Sequence, residues 1–118
     1  MKILVAEDDT ISGMCLQSQL ERFGHEVLAV ASDGLQAIEL AKKLSPELVI
    51  MDVSLPKVQG IQAARAITTD RQVPIIFLSG YSLDELRAKT KEFSQCACLT
   101  KPISSNDLQA SIESICDR

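Results

Sequence analysis

The apolar residues of this chain fall into short continuous runs, separated by longer stretches in which they recur every three or four positions. Runs of the first kind read as strands covered on both faces, and stretches of the second kind as helices with one apolar side. Lys2 to Ala6 is such a run and ends in Glu7-Asp8-Asp9. Leu16, Leu20 and Phe23 then recur at helical spacing, with Asp9 or Thr10 placed to cap the start and Gly24 to stop the end. Glu26 to Ala31 is a second strand. Ser32-Asp33-Gly34 turns from it into a helix with Leu35, Ile38, Leu40, Ala41 and Leu44 on its apolar side, ended by Ser45-Pro46. The central run, Glu47 to Asp52, delivers a carboxylate at its carboxyl end. Turn chemistry follows over Val53 to Gly60: Pro56 fixes its own φ and removes a donor, and Gly60 permits backbone angles that other residues avoid.

Ile61 to about Thr68 predicts a third, short helix, and Thr69 to Gln72 a polar loop. Val73 to Leu78 predicts a fourth strand, with proline tolerated near its beginning and Ser79-Gly80 at its end. Leu83, Leu86, Thr90 and Phe93 space out a fourth helix, and Leu83, Leu86 and Phe93 read as core contacts. A short fifth strand near Ala97 to Thr100 leads to Lys101-Pro102, and Ser104 or Ser105 opens a last helix carrying Leu108, Ile112 and Ile115. Strand followed by helix, five times over, predicts an α/β fold: a doubly wound, five-stranded parallel sheet of the flavodoxin-like kind, order 2-1-3-4-5, with helices on both faces.

At 118 residues and 46% apolar content the chain is expected to form one domain, residues 1–118, with a real core. No apolar stretch approaches a membrane span, and Met1-Lys2 runs straight into Ile3-Leu4-Val5-Ala6 with no room for a signal peptide. A soluble, cytoplasmic protein is expected, with no membrane partner. A formal net charge of -4 and the lack of any Lys/Arg run exclude the electrostatic footprint that nucleic acids select. The four cysteines, Cys15, Cys96, Cys98 and Cys116, fit neither a disulfide framework nor a zinc site, since the only histidine, His25, lies far off without ligand-like spacing. Free thiols in a reducing compartment are the better reading. A redox role for Cys96 and Cys98 is disfavoured, because Lys101 is the only nearby cation in the sequence.

Glu7 and Asp8 follow the first strand, Asp52 the third, Ser79 the fourth and Lys101 the fifth, so all converge on one crevice outside the strand ends. Glu7, Asp8 and Asp52 carry about -3 if ionised against +1 from Lys101, a bias that must raise a pKa or recruit a cation. Carboxylate oxygens, with a backbone carbonyl offered at Ser54, suit Mg²⁺. A metal, an ammonium and a hydroxyl around one carboxylate is what phosphoryl transfer to that carboxylate requires: Asp52 as nucleophile, with Lys101 and the Ser79 hydroxyl on the equatorial oxygens. Each residue also has an ordinary explanation, as a strand end, a helix cap, a solvated lysine or a turn, but none of these accounts for the convergence.

Ile3-Leu4-Val5-Ala6-Glu7-Asp8-Asp9, Asp33-Gly34 followed by Ala37, Asp52-Val53-Ser54-Leu55-Pro56 with Gly60, Pro74 to Gly80, and Lys101-Pro102 occur in this order over essentially the whole chain. In them the chain resembles the receiver domain of bacterial two-component response regulators, of the chemotaxis-regulator kind. The resemblance implies that Asp52 accepts phosphate from a sensor histidine kinase or phosphotransfer domain. It also implies that Asp8 binds Mg²⁺ directly and Glu7 through water, and that the Ser54 carbonyl completes the protein ligands. Ser79 and Lys101 would contact the phosphoryl group, and the Lys101-Pro102 bond would be cis, aiming the ammonium at Asp52. Asp9 falls one place beyond the metal pair and is assigned to capping the first helix. Implied partners are a downstream effector or output domain and a phosphorylation-linked homodimer. The chain itself stops soon after the fifth helix and is expected to hold no output domain.

Two positions depart from the family. Cys98 stands three places before Lys101, where an aromatic switch residue is usual, and Ser94-Gln95 replaces the small pair that normally ends the fourth helix. Tyr81, two places after Ser79, is the candidate for a compensating ring. Cys98 is also the feature that favours the alternative reading, a receiver-like interaction module that does not use phosphate. Aspartyl-nucleophile phosphatases carry a second aspartate two places after the first, where this chain has Ser54. Slow loss of phosphate to water is therefore expected, without turnover of an external substrate.

Overall fold

The computed structural model describes residues 1–80 and 82–116. Strands and helices alternate along the chain: β1 (Lys2–Ala6), α1 (Thr10–Arg22), β2 (Glu26–Ala31), α2 (Gly34–Leu44), β3 (Leu48–Asp52), α3 (Gly60–Asp70), β4 (Ile75–Ser79), α4 (Leu83–Lys89), β5 (Cys96–Thr100) and α5 (Ser105–Cys116). All pairings are parallel, in the order β2-β1-β3-β4-β5. β1 and β3 are neighbours, in register from Ile3 opposite Leu48 to Ala6 opposite Met51, so the residues that follow them emerge side by side.

Alternation along the inner strands divides the core into two layers. Leu4, Ala6, Val49, Met51, Ile75 and Phe77 pack with the buried residues of α2, α3 and α4, whereas Ile3, Val5, Leu48, Ile50, Ile76 and Leu78 pack with those of α1 and α5. β3 and β4 are buried at every position, which is why both read as unbroken apolar runs. Full burial of each Leu, Ile or Phe side chain contributes about 1.5–3 kcal/mol, so these inner strands are the main store of stability near the site.

Two helix starts are capped by aspartates, that of α1 as the sequence predicts. Asp9 accepts from the Ser12 N–H at 2.9 Å and Asp33 from the Gln36 N–H at 2.7 Å, each satisfying a donor with no partner inside its helix. Ends differ from expectation in several places. α3 runs on to Asp70, its last turn carrying Thr68 and Thr69 hydroxyls bonded back to the Ala64 and Arg65 carbonyls. α4 stops at Lys89, although the apolar spacing continues to Phe93. There the buried Thr90 turns its hydroxyl onto the Leu86 carbonyl at 2.9 Å, and Glu92 is drawn to Arg65 by a two-point ion pair at 2.7 and 3.1 Å. Phe93 then packs from the loop onto Phe77, ring centroids 5.1 Å apart. Leu35 and Phe23 fall on predicted apolar sides but are exposed, because Gly34, Ala37 and Ala41 bury the face of α2 and Gly13, Leu16 and Leu20 that of α1.

The Asp33 cap carries a pH signature. Its carboxyl is held below its ordinary value, first by the Gln36 N–H and then by the Lys57 ammonium 3.5 Å away, which outweigh a desolvation penalty. A depressed carboxyl adds stability above its unfolded-state pKa and loses it as pH falls through the lower folded-state value. Asp33→Asn keeps a capping oxygen but removes the charge. It should therefore melt below the wild type at neutral pH, with the gap closing in acid; a gap independent of pH in thermal melts would contradict this account.

Candidate functional site

Four strand ends and the loop after β3 build the site. Glu7 leaves β1 at the point where its N–H bonds to the Ala31 carbonyl, 2.9 Å away, so its side chain is turned into the sheet end and is buried. Asp52 ends β3 and is buried at 3% exposure, while Asp8 stays exposed at the rim. Ser79 ends β4, also buried, and its carbonyl accepts from the Lys101 N–H at 2.8 Å, which brings the lysine across from the end of β5. The Lys101-Pro102 peptide is cis.

These residues are held together by charge. The Lys101 Nζ lies 2.6 Å from Asp52 Oδ2 and 2.8 Å from Glu7 Oε1. The Ser54 N–H donates to Asp52 Oδ1 at 2.9 Å, so each Asp52 oxygen has a donor and the carboxylate is fixed in the plane they define. Burial raises the Glu7 carboxyl above its ordinary value; Lys101 opposes the rise, and the neighbouring Asp52 adds to it. For Lys101, burial alone would lower the ammonium, but the hydrogen bonds to Asp52 and Glu7 and their charges hold it above its ordinary value. One ammonium thus serves two buried carboxylates, with a third acid beside them.

Ligand oxygens of Glu7, Asp8 and Asp52 lie within 4.8 Å of one another. An all-oxygen set of this charge, exposed on the Asp8 side, fits a small hard divalent cation that keeps part of its water shell, and magnesium is the one such sites suit. The rim opens onto a cavity of about 500 Å³ lined by Asp8, Ser54, Gln59, Ser79 and Glu85 among others.

The loop from Asp52 to α3 is seated by close backbone approach. A Cβ on Gly60 would lie 2.1 Å from the Asp52 carbonyl oxygen, so glycine is needed there for contact; the residue with positive φ in this loop is Lys57, at 66°. The expectation that Gly60 supplies an unusual backbone angle is corrected accordingly. A Cβ on Gly34 would likewise meet the Val58 carbonyl oxygen at 1.7 Å. Both glycines stood in the matched segments, but their reason, packing between α2 and this loop, is not visible in local spacing.

Every predicted site residue except two falls in this cluster. Cys98 lies one layer below, its Sγ 3.4 Å from the Thr90 hydroxyl, and Tyr81 is outside the described residues. Thr90 had no assigned role beyond a helix face. Arg87 and Lys91 line a cavity together with Cys96 and Cys98, though burial and Cys98 push the Cys96 thiol up and neither cation offsets the rise. Their proximity comes from α4 folding over β5, and no sequence signal announces it.

The response regulator receiver domain model matches residues 3–113. The transcriptional regulatory protein PdtaR of Mycobacterium tuberculosis is 39% identical over 112 residues, which cover 95% of this chain and 55% of that protein; the chain spans about half the length of curated relatives that it matches. Among solved structures, the receiver domain of the sensor histidine kinase PA1611 from Pseudomonas aeruginosa superposes with a TM-score of 0.87 at 28% identity, covering 99% of this chain and 98% of that one, and holds a magnesium ion in its active-site cleft. The response regulator domain of Thermotoga maritima CheB, at 24% identity and a TM-score of 0.91, covers 100% of this chain and 97% of that one and shares the fold. With this match over nearly its full length, the chain belongs to the response regulator receiver domain family.

Proposed function

We propose that Asp52 is the phosphoacceptor of a two-component phosphorelay, taking a phosphoryl group from the phosphohistidine of a sensor histidine kinase or phosphotransfer domain. In this reading residues 1–118 act as one receiver domain in the cytoplasm and pass the signal to an effector or output domain, with a phosphorylation-linked homodimer as one form of output. The observation that carries it is the buried Asp52 carboxylate gripped by the Ser54 N–H and the Lys101 ammonium, with two further acids in reach and an open rim.

An Asp52 oxygen attacks phosphorus, the donor's P–N bond breaks, and the leaving nitrogen takes a proton. Lys101 shifts from the carboxylate pair to an equatorial phosphoryl oxygen, and the Ser79 hydroxyl takes a second; both meet charge that grows in the transition state. Glu7, Asp8, Asp52 and the Ser54 carbonyl would hold magnesium, which when bound offsets repulsion between the acids and the incoming phosphoryl oxygens. The same site lets water attack the acyl phosphate slowly and turns over no external substrate. No helix among the described residues is long and apolar enough to cross a membrane, in keeping with a soluble relay component.

One observation favours the phosphate-independent module: at the family's aromatic switch position, Cys98 instead contacts the buried Thr90. The two readings separate on one measurement. Incubation with Mg²⁺ and phosphoramidate should add a single phosphoryl group by intact mass, and chelating the metal should slow incorporation at least about tenfold, a loss of more than ~1.4 kcal/mol of transition-state stabilisation. A folded protein that binds Mg²⁺ and gains no mass would favour the module.

A further inference from the structure

The loop between β3 and α3 carries a strained turn. The Val58 N–H donates to the Pro56 carbonyl at 2.8 Å, which closes a γ-turn on Lys57, and Lys57 sits in it at φ 66°. The positive-φ form of this turn is rare and costly for a residue with a side chain, and it persists only where its surroundings hold it. The start of α2 does the holding. A Cβ on Gly34 would collide with the Val58 carbonyl, so the two backbones touch, and the Gly34 N–H donates to the same Pro56 carbonyl at 3.2 Å. Asp33 divides its carboxylate between two tasks: Oδ1 caps α2 on the Gln36 N–H at 2.7 Å, and Oδ2 lies 3.5 Å from the Lys57 ammonium. At its other end the loop reaches the acceptor, where the Ser54 N–H donates to Asp52 Oδ1 at 2.9 Å.

We propose that Lys57 and Asp33 are positioning residues for the phosphoacceptor site: their ion pair holds the γ-turn against α2 and so sets the Ser54 N–H and carbonyl beside Asp52. The inference rests on the proposed reading of that site, in which the Ser54 carbonyl is a magnesium ligand. An exposed ion pair between two free side chains contributes little. Here one partner is fixed as a helix cap and the other stands in a turn under strain, so the pair acts on backbone. Pro56, with its φ locked, lies between the turn and Ser54 and passes a displacement along rather than absorbing it. Charge alone predicts a different result. Lys57 adds positive charge to a loop beside an acidic site, so by its field its removal should tighten a divalent cation, whereas loss of the tether should weaken it. At Lys57 the two effects have opposite signs.

The test uses the full chain, with Mg²⁺ affinity read by calorimetry and exchange of the Ser54 amide hydrogen read by NMR without metal. Lys57→Gln and Asp33→Asn should each weaken Mg²⁺ binding about threefold and speed Ser54 exchange about threefold. Lys57→Arg keeps the charge and should retain wild-type values of both within about 1.5-fold. The double variant Asp33→Asn/Lys57→Gln should lose no more than about threefold, because the second change finds the pair already broken. Unchanged or tighter Mg²⁺ binding in Lys57→Gln, or single losses that multiply to about ninefold in the double variant, would overturn the proposal. So would a lowered melting temperature in Asp33→Asn with both readouts unmoved, which would leave Asp33 a helix cap and nothing more. Neither readout needs a phosphodonor: a wild type that binds Mg²⁺ and takes up no phosphate would sink the acceptor reading and still leave this pair to be judged on its own.

Discussion

Replacing Asp52 with asparagine should abolish phosphoryl incorporation while leaving the domain folded. The amide is the same size as the carboxylate and keeps an oxygen to accept the Ser54 N–H now bound at 2.9 Å. Lys101 is not stranded either, since Glu7 remains 2.8 Å away, and one buried negative charge is removed from a crowded site. What is lost is the nucleophile, because an amide oxygen carries neither the charge nor the leaving-group chemistry of an acyl phosphate. Removing a nucleophile that acts as a unit with its neighbours commonly costs far more than about 10³-fold, which puts incorporation by intact mass below detection. Thermal melts alongside would check that the variant is folded. Incorporation that survives in Asp52→Asn but disappears in Asp8→Asn would move the acceptor to the exposed acid, and undiminished incorporation in both would remove the acceptor role from the acidic cluster altogether.

Legibility followed burial. β1, β3 and β4 are covered on both faces at nearly every position, so they stand out as apolar runs, and their alternation with amphipathic stretches leaves few topologies open. Once β1 and β3 are neighbours, the convergence of Glu7, Asp8 and Asp52 follows from their places at the strand ends. Helix ends were less visible. The spacing of Leu86, Thr90 and Phe93 reports burial on one side, and burial continues past Lys89 although the helix does not: Thr90 is buried through its hydroxyl bond to Leu86, and Phe93 through its contact with Phe77. Leu35 shows the converse, an apolar residue at helical spacing that remains exposed because the small residues of α2 bring the helix close to its neighbours. The grouping of Arg87 and Lys91 with the β5 thiols depends on contacts between separate elements, for which a single sequence carries no spacing rule.

The same dependence on packing sets the largest expected stability effect, at Gly34 and Gly60. By helix propensity alone, alanine at these first helical positions should be neutral or favourable by up to about 1 kcal/mol. Packing reverses the sign. The new methyl group would lie 1.7 Å from the Val58 carbonyl oxygen in Gly34→Ala and 2.1 Å from the Asp52 carbonyl oxygen in Gly60→Ala, and both obstacles are backbone, which cannot rotate aside. Relief requires moving the loop that links Asp52 to α3, along with the bonds from Gly34 N–H to the Pro56 carbonyl and Gly60 N–H to the Val53 carbonyl. Each variant should lose about 3 kcal/mol or more in urea denaturation, whereas Gly80→Ala, with open space around the added carbon, should stay within about 0.5 kcal/mol of wild type. The two damaging changes should also differ at the site. Gly60→Ala presses directly on the Asp52 backbone and should weaken Mg²⁺ binding more than Gly34→Ala, which reaches the acids only through the loop. A Gly34→Ala protein as stable as wild type would mean that α2 and the loop are not in contact, and the seat on which this site depends would have to be found elsewhere.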